Sequence, residues 1–282
     1  MLLAAFCLFI TFSPTAQLLR HAVFDTYQRL FPLERTTSPV AIVVIDELAL
    51  QRYGQWPWPR TRMAELFDRI AEHEPAAIGM DILFPERDRL SPAAIAAELT
   101  VLPEEVRRTL EKLPSNEERL AEAIGGRKVV LGIAADATFD PRFPDAPRAA
   151  PVVLGDESIR RNLRPYAGHI RSVDPIDSAA ASRGLLNSGP ADQVVRLVPL
   201  VATVQGQIVP SLGVEALRVA IGGGLRLHTR SLPAGLMAVE FGEVKTVAQE
   251  DGQAWLRYGP HADPVARYEL ERLVRDFRGV SS

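Results

Sequence analysis

The chain has 282 residues, 47% of them hydrophobic, which is enough apolar surface for the core of one large domain or two smaller ones. Its 32 basic and 35 acidic side chains are mixed along the sequence without a basic stripe, so we expect no nucleic-acid partner. The single cysteine, Cys7, excludes an internal disulfide and a zinc site built on thiolates.

The N-terminal stretch has no charged side chain before Arg20, and about 20 apolar residues are needed to cross a bilayer as a helix. We therefore expect residues 1–22 to form a membrane anchor or a shortened transmembrane helix. Pro14 interrupts the stretch and no basic residue precedes it, so a buried or amphipathic helix is the alternative. Residues 21–33 continue as an amphipathic helix. One face of that helix carries Val23, Phe24, Tyr27 and Leu30.

Residues 40–88 follow the order strand, turn, helix, strand and acidic loop. Two apolar runs, residues 40–45 and 76–80, end at Asp46 and Asp81, a pattern typical of parallel strands buried on both faces. Apolar residues at helical spacing predict a helix over residues 62–73, with Thr61 as its N-cap. Together these elements predict a right-handed βαβ unit with the two strands adjacent.

A rigid turn enters that helix with the sequence Tyr-Gly-Gln-Trp-Pro-Trp-Pro-Arg over residues 53–60. Open α/β sheets bind ligands beside the carboxyl ends of their strands, where this turn is expected. Trp56 and Trp58 are candidates for stacking on a ligand, and Arg60 is a candidate for binding an anion. The alternative is structural: one indole, for which we favour Trp56, fills the core while Arg60 pairs with Asp46 or Asp81.

Five carboxylates form the most conspicuous polar group in the sequence: Asp46, Glu47, Asp81, Glu86 and Asp88. Carboxylates at the ends of adjacent strands can hold a divalent cation, or they can cap the turns that follow the strands. Both interpretations stay open. The five histidines show no metal-ligand spacing, and no nucleotide-binding glycine turn or catalytic serine motif occurs, so we expect no cofactor.

The remaining chain predicts further helices and strands. Prolines divide residues 90–113 into short helical pieces, and residues 134–151 read as a proline-rich surface loop. Helices are expected at residues 116–124 and 212–221, the latter capped by Ser211 and ended by three glycines. Strands are expected at residues 128–133, 194–200, 201–204, 236–241 and 254–258, with the second and third forming an antiparallel pair. The predicted fold class is α/β: a central mixed sheet with a parallel βαβ core flanked by helices, plus antiparallel strands in the C-terminal half.

Several of these motifs resemble those of the CHASE type 2 domain, an extracytoplasmic sensor module of bacterial membrane receptors. The resemblance rests on Ile-Asp-Glu at residues 45–47, Gly-x-Trp-Pro-Trp-Pro-Arg at 54–60 and Gly-Met-Asp-Ile-Leu-Phe-Pro-Glu-Arg-Asp at 79–88. Further matching segments lie at residues 184–187, 192–200, 210–217 and 257–260. The resemblance therefore covers the chain from about residue 23 to its C-terminus.

This resemblance implies a sensor domain over residues 23–282 that is not itself an enzyme, with residues 90–113 as a helical insertion. In such receptors the sensor is extracytoplasmic, in the periplasm, and is coupled through the cell membrane to a cyclase, diguanylate cyclase or histidine kinase. Candidate partners are an unknown small ligand or periplasmic protein, the membrane through the N-terminal segment, and a second copy of the chain. The alternatives are a metal-assisted hydrolase that uses Asp46, Asp81 and Asp88, and a binding protein secreted after cleavage near Ala16.

Overall fold

The computed structural model describes residues 14–33, 40–188, 194–229, 235–259 and 266–269. The chain forms two compact units, one made of Met1–Ala49 with Leu256–Ser282 and the other of Leu50–Trp255. Helices alternate with strands along the chain, and the strands form sheets that contain parallel and antiparallel pairs. The predicted mixed α/β class is therefore confirmed.

The described part of the chain contains these helices: α1 Pro14–Leu30, α2 Glu47–Tyr53, α3 Arg60–Ala71, α4 Pro92–Glu98, α5 Glu104–Glu111, α6 Asn116–Ile124, α7 Ser158–Asn162, α8 Asp174–Ala179 and α9 Leu212–Ile221. It contains these strands: β1 Ala41–Val44, β2 Ile78–Met80, β3 Val129–Asp136, β4 Val152–Leu154, β5 Pro165–Tyr166, β6 Gly168–Ile170, β7 Ser182–Leu185, β8 Leu197–Pro199, β9 Val201–Val204, β10 Gln207–Pro210, β11 Leu225–His228, β12 Leu236–Phe241, β13 Val244–Gln249, β14 Gln253–Trp255 and β15 Ala266–Glu269.

The first unit is built from α1 and a parallel pair of strands, β1 and β15, in which Ala41 lies opposite Ala266. The helix predicted over residues 21–33 is confirmed, but it begins earlier, at Pro14, and ends at Leu30. Its C-terminal end is tied to the segment before β15, since Gln28 bonds with the backbone of Leu256 and Tyr258. Along the described residues no helix has the length and hydropathy needed to cross a bilayer. Most of the predicted anchor, residues 1–13, lies outside the described residues.

Strand β1 corrects two predictions. It pairs with β15, whereas β2 pairs with β3, so the two strands belong to different sheets and the predicted adjacent pair is wrong. It is also largely exposed, with 43% of Ile42 and 36% of Val44 accessible. The uninterrupted apolar run therefore predicted the strand correctly. It did not predict the burial of the strand correctly, because an apolar run does not show which neighbouring elements cover it.

The parallel sheet of the second unit has β3 at its centre. Strands β2 and β7 pair with β3 in parallel, and β6 pairs with its last three residues in the antiparallel sense. The strand predicted at residues 128–133 is confirmed and extends to Asp136, so the predicted loop begins later than expected. Its central position explains the burial of Val129, Val130, Leu131 and Ile133.

Helices α3 and α6 pack against each other beside this sheet. Asp68 of α3 accepts hydrogen bonds from Arg119 of α6 and from Arg127, at 2.6 and 2.9 Å. Helix α6 confirms the prediction for residues 116–124 and begins with a capping box between Ser115 and Glu118. Helix α3 begins at Arg60, so Thr61 lies inside it and the predicted N-cap is wrong.

The C-terminal half contains the predicted antiparallel strands, but with different partners. Strand β8 pairs with β14, and β9 pairs with β10, so the expected pairing of residues 194–200 with 201–204 is wrong. Only Leu200 separates β8 from β9, whereas Gln205 and Gly206, with φ of 48° and 78°, form a two-residue hairpin turn after β9. Strands β11, β12 and β13 form a meander, which β4 extends in parallel.

Candidate functional site

A cleft of about 790 Å³ opens in the second unit at the loop that follows β2. Its walls come from that loop, from α4, from the connection between α5 and α6, from the loop after β3, and from the connection between β6 and α8. The short helices predicted within residues 90–113 are confirmed, and they form one wall. The cleft thus lies beyond the carboxyl end of a parallel strand, the usual place for a ligand in an open α/β sheet.

A buried polar network forms the floor of the cleft around Asp88, which is 6% exposed. Its carboxylate accepts hydrogen bonds from the backbone N–H of Arg60 at 2.7 Å, from the Asn116 amide at 2.9 Å and from the Leu90 N–H at 2.9 Å. Asp88 therefore caps the N-terminus of α3 from 28 residues away, a tertiary contact that takes the place of the predicted local cap.

Glu117 completes this network from the first turn of α6. Its carboxylate accepts hydrogen bonds from the Asp88 N–H and from the Ser91 hydroxyl, and Ser91 in turn accepts a hydrogen bond from the Asn116 N–H at 3.0 Å. Each buried carboxylate is thus surrounded by donors, which is the condition for a stable buried charge. The network joins the starts of α3, α4 and α6 into one rigid base.

Hydrogen bonding decides the protonation of Asp88. Burial by itself raises the pKa of this carboxyl, but the hydrogen bonds from Arg60, Asn116 and Leu90 and the charge of Arg60 outweigh it, so the pKa lies below its usual value. Asp88 is therefore ionised at neutral pH and acts as an acceptor in the network.

The tryptophan-proline turn is folded against this base. Trp58 is 2% exposed, donates its indole N–H to the Gly54 carbonyl at 2.6 Å and contacts Tyr53 edge-on at 5.8 Å. Trp56 is 41% exposed. One indole does fill the core, as the structural alternative held, but it is Trp58, and the prediction for Trp56 is wrong. The spacing of two tryptophans does not show which of them points inward.

Arg60 ties the turn to the loop after β2. Its guanidinium donates to the carbonyl oxygens of Glu86 at 3.2 Å and Trp58 at 3.5 Å, and it lies 4.2 Å from the centre of the Phe84 ring. Burial lowers the pKa of Arg60, an effect that the charges of Asp88, Glu117 and Glu86 oppose. These contacts replace the expected pairing with Asp46 or Asp81, and because the side chain is buried it does not present a free anion site.

The other predicted carboxylates are not brought into this network. Asp46, in the first unit, caps α2 by accepting a hydrogen bond from the Ala49 N–H at 2.9 Å, and Glu47 is exposed at the start of that helix. Asp81 and Glu86 are exposed, and the described residues offer no side-chain partner for Asp81. Nowhere in the described ranges do three His, Cys, Asp or Glu side chains form a group that could hold a metal ion.

A comparison with protein-family models matches the CHASE2 domain over residues 2–280. The chain belongs to the CHASE2 domain family. Domains of this family are sensory and form the extracytoplasmic parts of membrane receptors. No curated protein and no solved structure matches the chain.

Two residues of the family-like segment at 184–187 have a packing role in this CHASE2 domain. A Cβ at Gly184 of β7 would lie 2.5 Å from the Leu212 Cα, so the glycine permits α9 to approach the strand closely. Asn187 bonds through both ends of its amide with the N–H and carbonyl of Ala135, at 2.8 Å each, and so holds the end of β3.

The rim of the cleft carries a cationic group that the sequence did not indicate. Arg142 and Arg171 both contact the buried ring of Phe143, with their guanidinium carbons 5.6 and 5.4 Å from its centre. Arg142 is paired with Asp140 at 2.8 Å, and Arg171 is paired with Asp174 at 2.7 Å. These residues lie 54 or more positions beyond Asp88, so only the tertiary fold brings them to the cleft.

Proposed function

We propose that this CHASE2 domain is the signal-sensing part of a bacterial membrane receptor, is not itself an enzyme, and binds its ligand in the cleft beyond β2. The single observation that carries the proposal is the family match over residues 2–280. In the full receptor the sensor is periplasmic and controls a cytoplasmic cyclase, diguanylate cyclase or histidine kinase. The N-terminal segment attaches it to the cell membrane.

The architecture of the cleft supports a role in signalling. One side is the rigid base formed by Asp88, Glu117 and their donors, which includes the start of α4, and the other side is α5 with the connection from α5 to α6. Helix α5 has no buried residue, so few apolar contacts hold that wall in place. A wall with little buried surface can shift at low cost when a ligand binds, whereas the base preserves the site.

Reporter fusions test the location. Alkaline phosphatase, which is active only outside the cytoplasm, is fused after Ser282, and green fluorescent protein is fused at the same position as the reciprocal control. We expect phosphatase activity without fluorescence. Fluorescence without phosphatase activity would contradict a periplasmic sensor.

Occlusion of the cleft tests the role of the site. Ala94 lines the cleft, so Ala94→Trp places an indole in the space that a ligand needs, and Ala76→Trp adds the same side chain at an exposed position away from it. We expect Ala94→Trp to lock the output of the intact receptor at one level, and Ala76→Trp to leave the response unchanged. Normal signalling by Ala94→Trp would exclude the cleft as the sensory site.

A further inference from the structure

The charges around the cleft indicate what kind of molecule fits it, and this argument rests on the proposed sensory role. Most of the ionised groups in its lining already have partners. Asp88 and Glu117 belong to the buried network, Glu118 accepts the Ser115 N–H at 2.7 Å, and Arg142 and Arg171 are paired with aspartates. These groups need no ligand to balance them.

Two lining residues of opposite charge are exceptions. Arg87, in the loop after β2, and Glu111, at the end of α5, are both exposed, and the described part of the chain provides no hydrogen-bond or ion-pair partner for either side chain. They come from different walls: Arg87 is next to the rigid base, and Glu111 lies on the helix without buried residues. Among the residues that the structure describes, the cleft therefore presents one cation and one anion without a protein partner.

The surface around these two charges is mostly apolar. Ala93, Ala94, Ala97, Leu113 and Val173 contribute small or aliphatic side chains to the lining. A volume of about 790 Å³ lies in the upper part of the range of about 300 to 1,000 Å³ found for small-molecule sites. A single amino acid would leave most of this space empty.

We propose that the ligand is a short apolar peptide with free termini, whose terminal carboxylate is bound by Arg87 and whose terminal amine is bound by Glu111. A guanidinium binds a carboxylate through two parallel hydrogen bonds. One guanidinium balances the single negative charge of a carboxylate, and Glu111 balances the single positive charge of an amine. A peptide that joins the two residues also joins the rigid base to the wall with little buried surface. Binding then closes the cleft, which gives the sensor its conformational signal.

The test combines changes in the protein with changes in the peptide, using calorimetry on the full 282-residue chain. The probe is the tripeptide Ala-Leu-Ala in three forms: with free termini, with an amidated C-terminus, and with an acetylated N-terminus. We expect each blocked form to bind about tenfold more weakly, because each block removes the charge of one terminus and with it a charge-assisted hydrogen bond.

Two variants assign each terminus to its residue. Arg87→Gln should bind the free and the amidated peptide equally, and Glu111→Gln should bind the free and the acetylated peptide equally. Arg89→Gln and Glu105→Gln, exposed positions that do not line the cleft, should retain the preferences of the wild type. Circular dichroism confirms that each variant is folded.

The peptide assignment would be overturned if the free peptide did not bind, or if the free and the two blocked peptides bound with equal affinity. It would also be overturned if Arg87→Gln and Glu111→Gln still bound the free peptide more tightly than the blocked forms, as the wild type does. None of these results affects the fusion and Ala94→Trp experiments, which test the location and the use of the cleft without assuming a ligand.

Discussion

At the scale of single residues, Asp88 joins the start of α3, the segment before α4 and the start of α6. Replacing it with Ala leaves the N–H groups of Arg60 and Leu90 and the Asn116 amide without an acceptor. We expect a loss of about 2 to 3 kcal/mol in the free energy of unfolding at pH 7, because buried unsatisfied donors cost about 1 to 3 kcal/mol each and water restores part of this. Urea unfolding followed by circular dichroism measures the change.

Two other aspartates serve as controls for Asp88. Asp46→Ala removes a helix cap and should cost about 1 kcal/mol, whereas Asp81→Ala removes an exposed carboxylate without a partner and should change stability by less than about 0.5 kcal/mol. Because the pKa of Asp88 is lowered on folding, its contribution is present above about pH 4 and disappears as the pH falls through the folded pKa. An equal loss in all three variants would contradict the network.

His169 gives the molecule a second dependence on pH, in a different range. This side chain is fully buried on β6, and burial together with the charge of Arg171 lowers its pKa, against the opposing effects of Asp177, Gln205 and Asp140. The unfolded chain therefore binds a proton more readily, and stability falls as the pH drops below about 6.5. One histidine can contribute a slope of at most about 1.4 kcal/mol per pH unit.

Unfolding between pH 7.5 and 5.5 checks this expectation. His169→Gln, which cannot titrate, should lose less stability over this range than the wild type does. His73→Gln, at an exposed position, should follow the wild type. Parallel profiles for all three proteins would show that protonation of His169 does not oppose folding.

At the scale of elements, the contact between β7 and α9 depends on the absence of a side chain. Gly184→Ala places a methyl group 2.5 Å from the Leu212 Cα and 2.8 Å from its nitrogen, so the helix must move. We expect a loss of about 1 to 3 kcal/mol, as for other overpacked contacts. Thermal unfolding measures it.

Gly213 supplies the matched control for Gly184, because it lies in the same contact region but has open space around it. Gly213→Ala should be neutral or stabilising by about 0.5 kcal/mol, since alanine is the better helix former. If both alanine variants unfold at the temperature of the wild type, the close approach of strand and helix is not required.

The helical segment at residues 90–113 divides into a part that is integrated in the fold and a part that is not. Ser91 bonds with Glu117 and Asn116, and Ala96 is fully buried, whereas α5 has no buried residue. Replacing residues 97–112 with a short Gly-Ser linker should keep the fold, because closing a surface loop costs little entropy. Replacing residues 90–113, which includes Ser91, should lower the melting temperature by several degrees more.

Circular dichroism and calorimetry follow the two deletions. The shorter deletion also removes Glu111 and a wall of the cleft, so peptide binding should be lost while the fold remains. An insoluble short-deletion protein would show that α5 is required for folding, as a core element would be.

At the scale of the whole molecule, the first unit joins segments from both ends of the chain. Deleting residues 256–282 removes β15 and the backbone groups of Leu256 and Tyr258 that bond with Gln28. We expect the amides of β1 that are protected in the full chain to lose protection in hydrogen exchange. The amides of β3 should keep theirs, since its partners β2, β6 and β7 all belong to the second unit. Retained protection of β1 would contradict its pairing with β15.

The sequence by itself determined the local elements and the family. Local sequence patterns predicted the central strand β3 and helices α6 and α9, and the glycines after Ile221 ended α9 where expected, with φ of 79° at Gly222. These features depend on residues within one turn or one strand of each other, so a linear pattern contains the information. The tryptophan-proline turn and the segment at 79–88 were specific enough to indicate the family that the match over residues 2–280 shows.

Only the tertiary structure decided the partners. Nothing in the sequence near Asp88 indicates Asn116 or Glu117, and nothing near β1 indicates β15 in place of β2. The choice of Trp58 over Trp56 for the core was equally hidden, because both indoles precede a proline in the same short turn and no local pattern shows which of them points inward. The physical reason is common to all three cases. A buried polar group needs a hydrogen-bond partner and an apolar side chain needs a covering surface, but any suitable group that the fold brings close can provide them. A sequence pattern therefore indicates that partners are needed without indicating which residues they are.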